Sequence, residues 1–194
     1  MAAIAAANHP EIKFTIGDAE TLPYDNESFD YVVCSFGLLH MQQPERAIAE
    51  ACRVLHSGGG YTFTVWCTPE QGCALFALIL NAIQAHGTVD VGLPPAPPIF
   101  RFANAEECHN ALTAAGFLAP VTATIPLTWY GNTPSEVLEL FYKSAVRTTM
   151  ILERQTSEAP ERIHEAVMKS AERFRAGERI AIASPDFQVT AVKP

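Results

Sequence analysis

The chain is poor in several of the patterns by which a function is usually recognised. Its five cysteines (Cys34, Cys52, Cys67, Cys73 and Cys108) form no C-x-x-C pair. Structural zinc sites are built from such short-range pairs, so no metal centre is expected. An odd number of scattered thiols fits a reducing compartment, and a cytoplasmic location is expected. No apolar run approaches the ~20 residues that cross a bilayer; the longest, residues 74–83, is about half that length and contains Asn81, so no membrane span is expected. The alanine-rich start has no basic region before it and does not read as a secretory signal. G-x-G-x-x-G is missing, which argues against a nicotinamide dehydrogenase. So is G-x-S-x-G: Ser35 sits in Val33-Cys34-Ser35-Phe36-Gly37, without the first glycine that the nucleophile turn of an α/β-hydrolase needs.

Positive charge is scarce where most of the chain lies. Residues 1–142 hold four Lys/Arg against fourteen Asp/Glu, whereas residues 143–194 hold nine against seven, for a total of −8. The late cations, Lys143, Arg147, Arg154, Arg162, Lys169, Arg173 and Arg175, alternate with glutamates at near-helical spacing, the pattern of a solvated helix face. A nucleic-acid footprint gathers cations without compensation, so no nucleic-acid partner is expected.

What is present is ordinary globular material: 194 residues, 48% hydrophobic and 18% charged, enough for one domain with a real core. Residues 12–16 (IKFTI), 30–35 (DYVVCS) and 61–66 (YTFTVW) read as strands, the last two apolar on both faces. Strands of that kind alternating with helices argue a parallel sheet covered on both sides. Between them, Ala47, Ile48, Ala51, Val54 and Leu55 form one apolar stripe on a helix over residues 44–55, with Pro44 in its first turn. The glycines at 58–60 precede a strand, not a helix, and read as a turn. Further helices are expected at 72–85, at 105–115 with Asn104 as cap, at 134–152 and at 158–176, and further strands at 117–126 and 187–192. The class is α/β.

In an open α/β sheet the ligand sits outside the carboxyl ends of the parallel strands. That rule selects Gly17-Asp18-Ala19-Glu20, residues 35–40 and residues 66–68. Asp18 is placed to accept from an amino or hydroxyl group of a nucleoside, or to cap its own turn, as aspartate commonly does.

The run GDAETLPYDNESFDYVVCSFGLLHMQQPERAIAEACRVLHSGGGYTFTVW resembles class I S-adenosylmethionine-dependent methyltransferases, most of all the small-molecule group that includes ubiquinone/menaquinone-biosynthesis enzymes. G-D-A-E followed by L-P, S-F-D before a strand, and R-V-L before a glycine-rich turn occur in the family's order. The resemblance implies a Rossmann-like sheet with helices on both faces, S-adenosylmethionine as cofactor, and methyl transfer to a small organic acceptor. It implies that Asp18 bonds the adenine amino group, that the Ala19 backbone meets a ring nitrogen, and that Glu20 and Leu22 border the adenine pocket. Ser35, Phe36 and Gly37 would lie beside the methionine part, and His40 would face the cleft. His40 is a candidate general base, since imidazole as a residue type exchanges protons near neutrality, or else a pocket wall.

One departure from the family is large. Its glycine-rich G-x-G-x-G turn and its ribose-binding acid belong to a first βαβ unit for which this sequence has no counterpart. The expectation is therefore a single, N-terminally truncated domain over residues 1–194, with a helical insertion at about 134–177. Residues 12–16 would lose their pairing partner and residues 30–35 would become an open apolar edge. A parent longer than this chain, direct re-pairing of the two strands, or another chain, as in a homo-oligomer, would each close the gap. A non-catalytic scaffold serving as a binding or dimerisation module is the alternative function.

Overall fold

The computed structural model describes residues 2–95 and 97–194. A short helix α1 (Ala2–Asn8) is followed by a long irregular stretch and strand β1 (Phe29–Ser35). Then come a 3-10 turn at Leu38–His40, α2 (Pro44–Val54), β2 (Leu55–Trp66), α3 (Ala74–His86), α4 (Ala105–Ala114) and β3 (Leu118–Ile125). The remainder is β4 (Thr128–Gly131), α5 (Ser135–Ser144), α6 (Val146–Glu153), α7 (Ala159–Ala171), β5 (Arg175–Ala176), β6 (Arg179–Ala183) and β7 (Asp186–Val192).

The main sheet has the order β1-β2-β7-β3. β1 and β2 are parallel, while β7 runs antiparallel to both β2 and β3. Alternation decides its buried face. Tyr61, Phe63 and Val65 of β2 and Phe187, Val189 and Ala191 of β7 point into one core with the α2 stripe, where Ile48 of α2 and Leu55 at the start of β2 are fully buried. The opposite face, expected to be covered by helices as well, leaves Tyr31 54%, Val33 65% and Val121 66% exposed.

Three expectations are corrected. Residues 12–16 form no strand: they have no ladder partner among the described residues, and Ile12, Phe14 and Ile16 stay exposed. Without a neighbouring strand to supply hydrogen bonds, β-propensity alone does not make one. The glycines at 58–60 are no simple turn either. They lie within β2 as a bulge, because β1 advances two residues, from Phe29 to Tyr31, while β2 advances five, from Leu55 to Gly60. Gly58 takes φ +81° there, and a side chain at Gly60 would run into the Tyr31 ring. Finally, the expected helix at 134–152 breaks at Ala145 (φ −113°, ψ 80°) into α5 and α6.

The region after β3 also holds a second sheet, β4-β6-β5, that periodicity did not reveal. β5 and β6 are a minimal hairpin across Gly177-Glu178, with Ala176 opposite Arg179 and Gly177 at φ +65°. α3 packs against β6 of this sheet, and α7 packs against α3.

Candidate functional site

β1 and β2 end side by side, so the residues that follow them share one rim. Phe36 comes directly after β1 with φ +51°, a left-handed conformation that costs a non-glycine residue energy. Two contacts hold it there: its N–H donates to the Thr64 carbonyl at 3.0 Å, and its ring stacks on Trp66, the last residue of β2, at 4.1 Å between centroids. Gly37 then opens the 3-10 turn, and a Cβ there would meet the Cys34 sulfur at 2.7 Å. Burial pushes the Cys34 thiol above its ordinary pKa, which disfavours the thiolate.

Outside this rim lies a cavity of about 510 Å³. The Phe36–Trp66 stack forms one wall. Phe76, 5.6 Å from both Trp66 and Phe141, continues the aromatic lining. The break between α5 and α6 supplies the far wall, from Ser144 to Thr148, and Pro97 and Ile99, in the loop between α3 and α4, close another side. His40 lines the mouth and is exposed. Arg147, read from sequence as part of a solvated helix face, also lines this cavity, and its Nη1 donates to the Pro94 carbonyl at 3.1 Å. Arg154 reaches the same loop, donating to the Gly92 carbonyl at 3.4 Å.

The turn at 17–22 is not among the residues that line this cavity. Asp18 caps it: the Glu20 N–H donates to Asp18 Oδ1 at 2.9 Å, and Asp18 pairs with Thr21 in an isolated bridge. The second oxygen, Oδ2, accepts no hydrogen bond among the described residues. Glu20 Oε1 accepts from the Gln43 N–H at 2.9 Å, tying the turn to the segment that follows His40. Both backbone polar groups of Leu22 are held by α2: its N–H donates to Glu50 Oε2 at 2.7 Å, and its carbonyl accepts from Arg53 Nη2 at 3.1 Å. Arg53 also binds the Tyr24 carbonyl and Asn26 Oδ1, and its hydrogen bond to Glu50 holds that carboxyl below the usual range. Ala19 packs against the main core.

The predicted site residues thus fall into two groups. Phe36 and His40 meet at the cavity, with Ser35 and Gly37 on either side of Phe36. Asp18, Ala19, Glu20 and Leu22 form a separate turn, joined to the first group through Gln43 and outside the cavity lining. Sequence reasoning missed Arg147 and the wall at 144–148, because the break at Ala145 has no glycine or proline to announce it.

One carboxylate near the rim is incompletely satisfied. Asp186, opposite Trp66 in the β2–β7 ladder, is 6% exposed, and its Oδ1 makes no hydrogen bond among the described residues. Burial holds its carboxyl above the ordinary aspartate range.

Comparison with known proteins places this geometry. Residues 1–63 match the family described as "Methyltransferase domain". A demethylmenaquinone methyltransferase of Renibacterium salmoninarum is 38% identical over 72 residues, 37% of this chain and 30% of that protein. A ubiquinone/menaquinone biosynthesis C-methyltransferase UbiE of Rickettsia massiliae is 42% identical over 61 residues, 31% of this chain and 25% of that protein. The match therefore spans less than a third of these curated relatives. Among solved structures, a candidate methyltransferase of Bacillus halodurans C-125 superposes with a TM-score of 0.55 at 18% identity, covering 100% of this chain and 76% of the other. The YcgJ protein of Bacillus subtilis does so with a TM-score of 0.55 at 16% identity, covering 100% and 78%. The chain has the mixed α/β, Rossmann-like fold of those structures, and its residues 1–63 are similar to the methyltransferase-domain family.

Proposed function

We propose that the chain serves S-adenosylmethionine-dependent methyl transfer to a small organic acceptor, with the aromatic cavity as acceptor site and the turn at 18–22 as the adenine side of the cofactor site. The observation that carries this reading is the position of the cavity. It lies outside the carboxyl ends of the parallel pair β1–β2, where α/β sheets place their ligands, in a chain whose first third matches methyltransferases.

The residues present fit the cofactor's nucleoside end best. Asp18 Oδ2 is available to an adenine amino group while Oδ1 keeps the turn closed. The Ala19 backbone would meet the ring, and Glu20 and Leu22 hold the border through Gln43, Glu50 and Arg53. For the methionine end the rim offers the Ser35 hydroxyl and the peptide groups of Phe36 and Gly37. When bound, S-adenosylmethionine supplies an electrophilic methyl group on a sulfonium. The chain's own part is positioning: Phe36 and Trp66 align a flat acceptor and exclude water, and His40 at the mouth takes the proton of an oxygen acceptor.

Two further parts of the reading concern context. The five free thiols support a cytoplasmic setting. The β1 edge, with Tyr31 and Val33 exposed beside it, supports self-association. The direct test is a screen with methyl-labelled S-adenosylmethionine against small apolar acceptors, peptides and RNA. Label in the small acceptors is expected; label confined to peptides or RNA contradicts the proposal.

A further inference from the structure

The cavity's charge is more specific than its shape. Its lining is aromatic and aliphatic over most of its area, contains no Asp or Glu among the described residues, and has Arg147 as its one Lys/Arg side chain. Arg147 comes from residues 143–194, which hold nine Lys/Arg against seven Asp/Glu. Arg147 is also held in place: Nη1 donates to the Pro94 carbonyl, which leaves Nε and Nη2 of the guanidinium without a protein acceptor among the described residues. The first turn of α6, on the same wall, contains no acidic residue to neutralise it.

We infer that the cavity selects an acceptor with an apolar ring body and an anionic group, a carboxylate being the simplest, with Arg147 binding the anion at the mouth. This rests on the reading of the cavity as the acceptor site and narrows it to a substrate class. The ring lies against the Phe36–Trp66 stack, where it loses contact with water, and the acid stays at the exposed rim, where it keeps part of its hydration. A planar guanidinium with two free donor nitrogens matches a carboxylate in a two-point hydrogen bond, which an ammonium cannot reproduce.

The test uses two probes of the same shape, 1-naphthoate and its neutral amide, titrated calorimetrically into the whole chain without cofactor. Naphthoate is expected to bind about tenfold more tightly than the amide, the range of one charge-assisted hydrogen bond. Arg147→Met removes that preference and leaves amide binding unchanged, which also shows that the cavity has kept its shape. Arg147→Lys restores it in part. Equal binding of the two probes by the wild-type chain, or no binding of either, overturns the inference. An equal loss of both probes in Arg147→Met also overturns it, since Arg147 would then act only by holding the loop at Pro94. Because no methyl is transferred, the result stands apart from the proposed activity: a chain that binds naphthoate but never transfers a methyl contradicts that activity and not the anion site.

Discussion

Single residues can leave room for two jobs where the sequence offered a choice of one. Asp18 was open to being a nucleoside ligand or a turn cap. The cap uses Oδ1 alone, so both roles fit on one side chain. Phe36 accepts a left-handed backbone because the Thr64 carbonyl and the Trp66 ring fix it. Asp186 is the costly residue. Since burial raises its pKa, the native state keeps a proton that the unfolded chain has lost. The unfolded state then binds fewer protons, and stability falls as pH rises through the ordinary aspartate range, about 4, toward the raised native value. Asp186→Asn removes that slope. In urea titrations at a series of pH values, variant and wild type are expected to match in acid and to separate toward neutrality, with the variant more stable by about 1–3 kcal/mol, the cost of an unsatisfied buried group. Parallel curves would show that Asp186 is ionised without penalty. Arg147 illustrates what single residues hide: in the sequence it is one of several alternating charges, and its carbonyl partner lies 53 positions away.

At the scale of elements, legibility follows locality. The α2 stripe was readable because a 3.6-residue period needs only its own neighbours, and Ala47, Ile48, Ala51 and Val54 are all buried, as is Leu55 at the start of β2. Ile48→Ala is expected to cost about 2–5 kcal/mol by chemical denaturation; a cost below 1 kcal/mol would mean that the stripe is not the core contact it is taken to be. The Asn104 cap was legible for the same reason, and its Oδ1 accepts from the Glu106 and Glu107 N–H groups at 2.8 and 3.1 Å. Residues 12–16 were misread because a strand exists only with its partner. The β4-β6-β5 sheet was missed because strands of two to five residues leave almost no period to detect. The site was legible in the same uneven way: the ends of β1 and β2 were found by rule, whereas the α5–α6 wall depends on tertiary contacts.

For the molecule as a whole, two features stand against each other. One face of the main sheet is a well-filled core, and the other leaves Tyr31 and Val33 exposed along an edge strand. If that edge mediates self-association, sedimentation at rising concentration will show a dimer, and Val33→Lys will return it to monomer, since an edge lysine opposes strand pairing. A wild-type monomer throughout, or a dimer indifferent to the lysine, contradicts this. The central claim is that the turn at 18 and the rim at 35–37 together bind a nucleoside cofactor beside the aromatic cavity. Its most direct test is a calorimetric titration with S-adenosylhomocysteine. Saturable binding with a Kd on the order of 0.1 mM is expected, weakened about tenfold or more by Asp18→Ala, the loss of one hydrogen bond to a charged group. No saturable heat up to about 10 mM, or equal affinity in the wild type and the Asp18 variant, would contradict it and favour the non-catalytic scaffold.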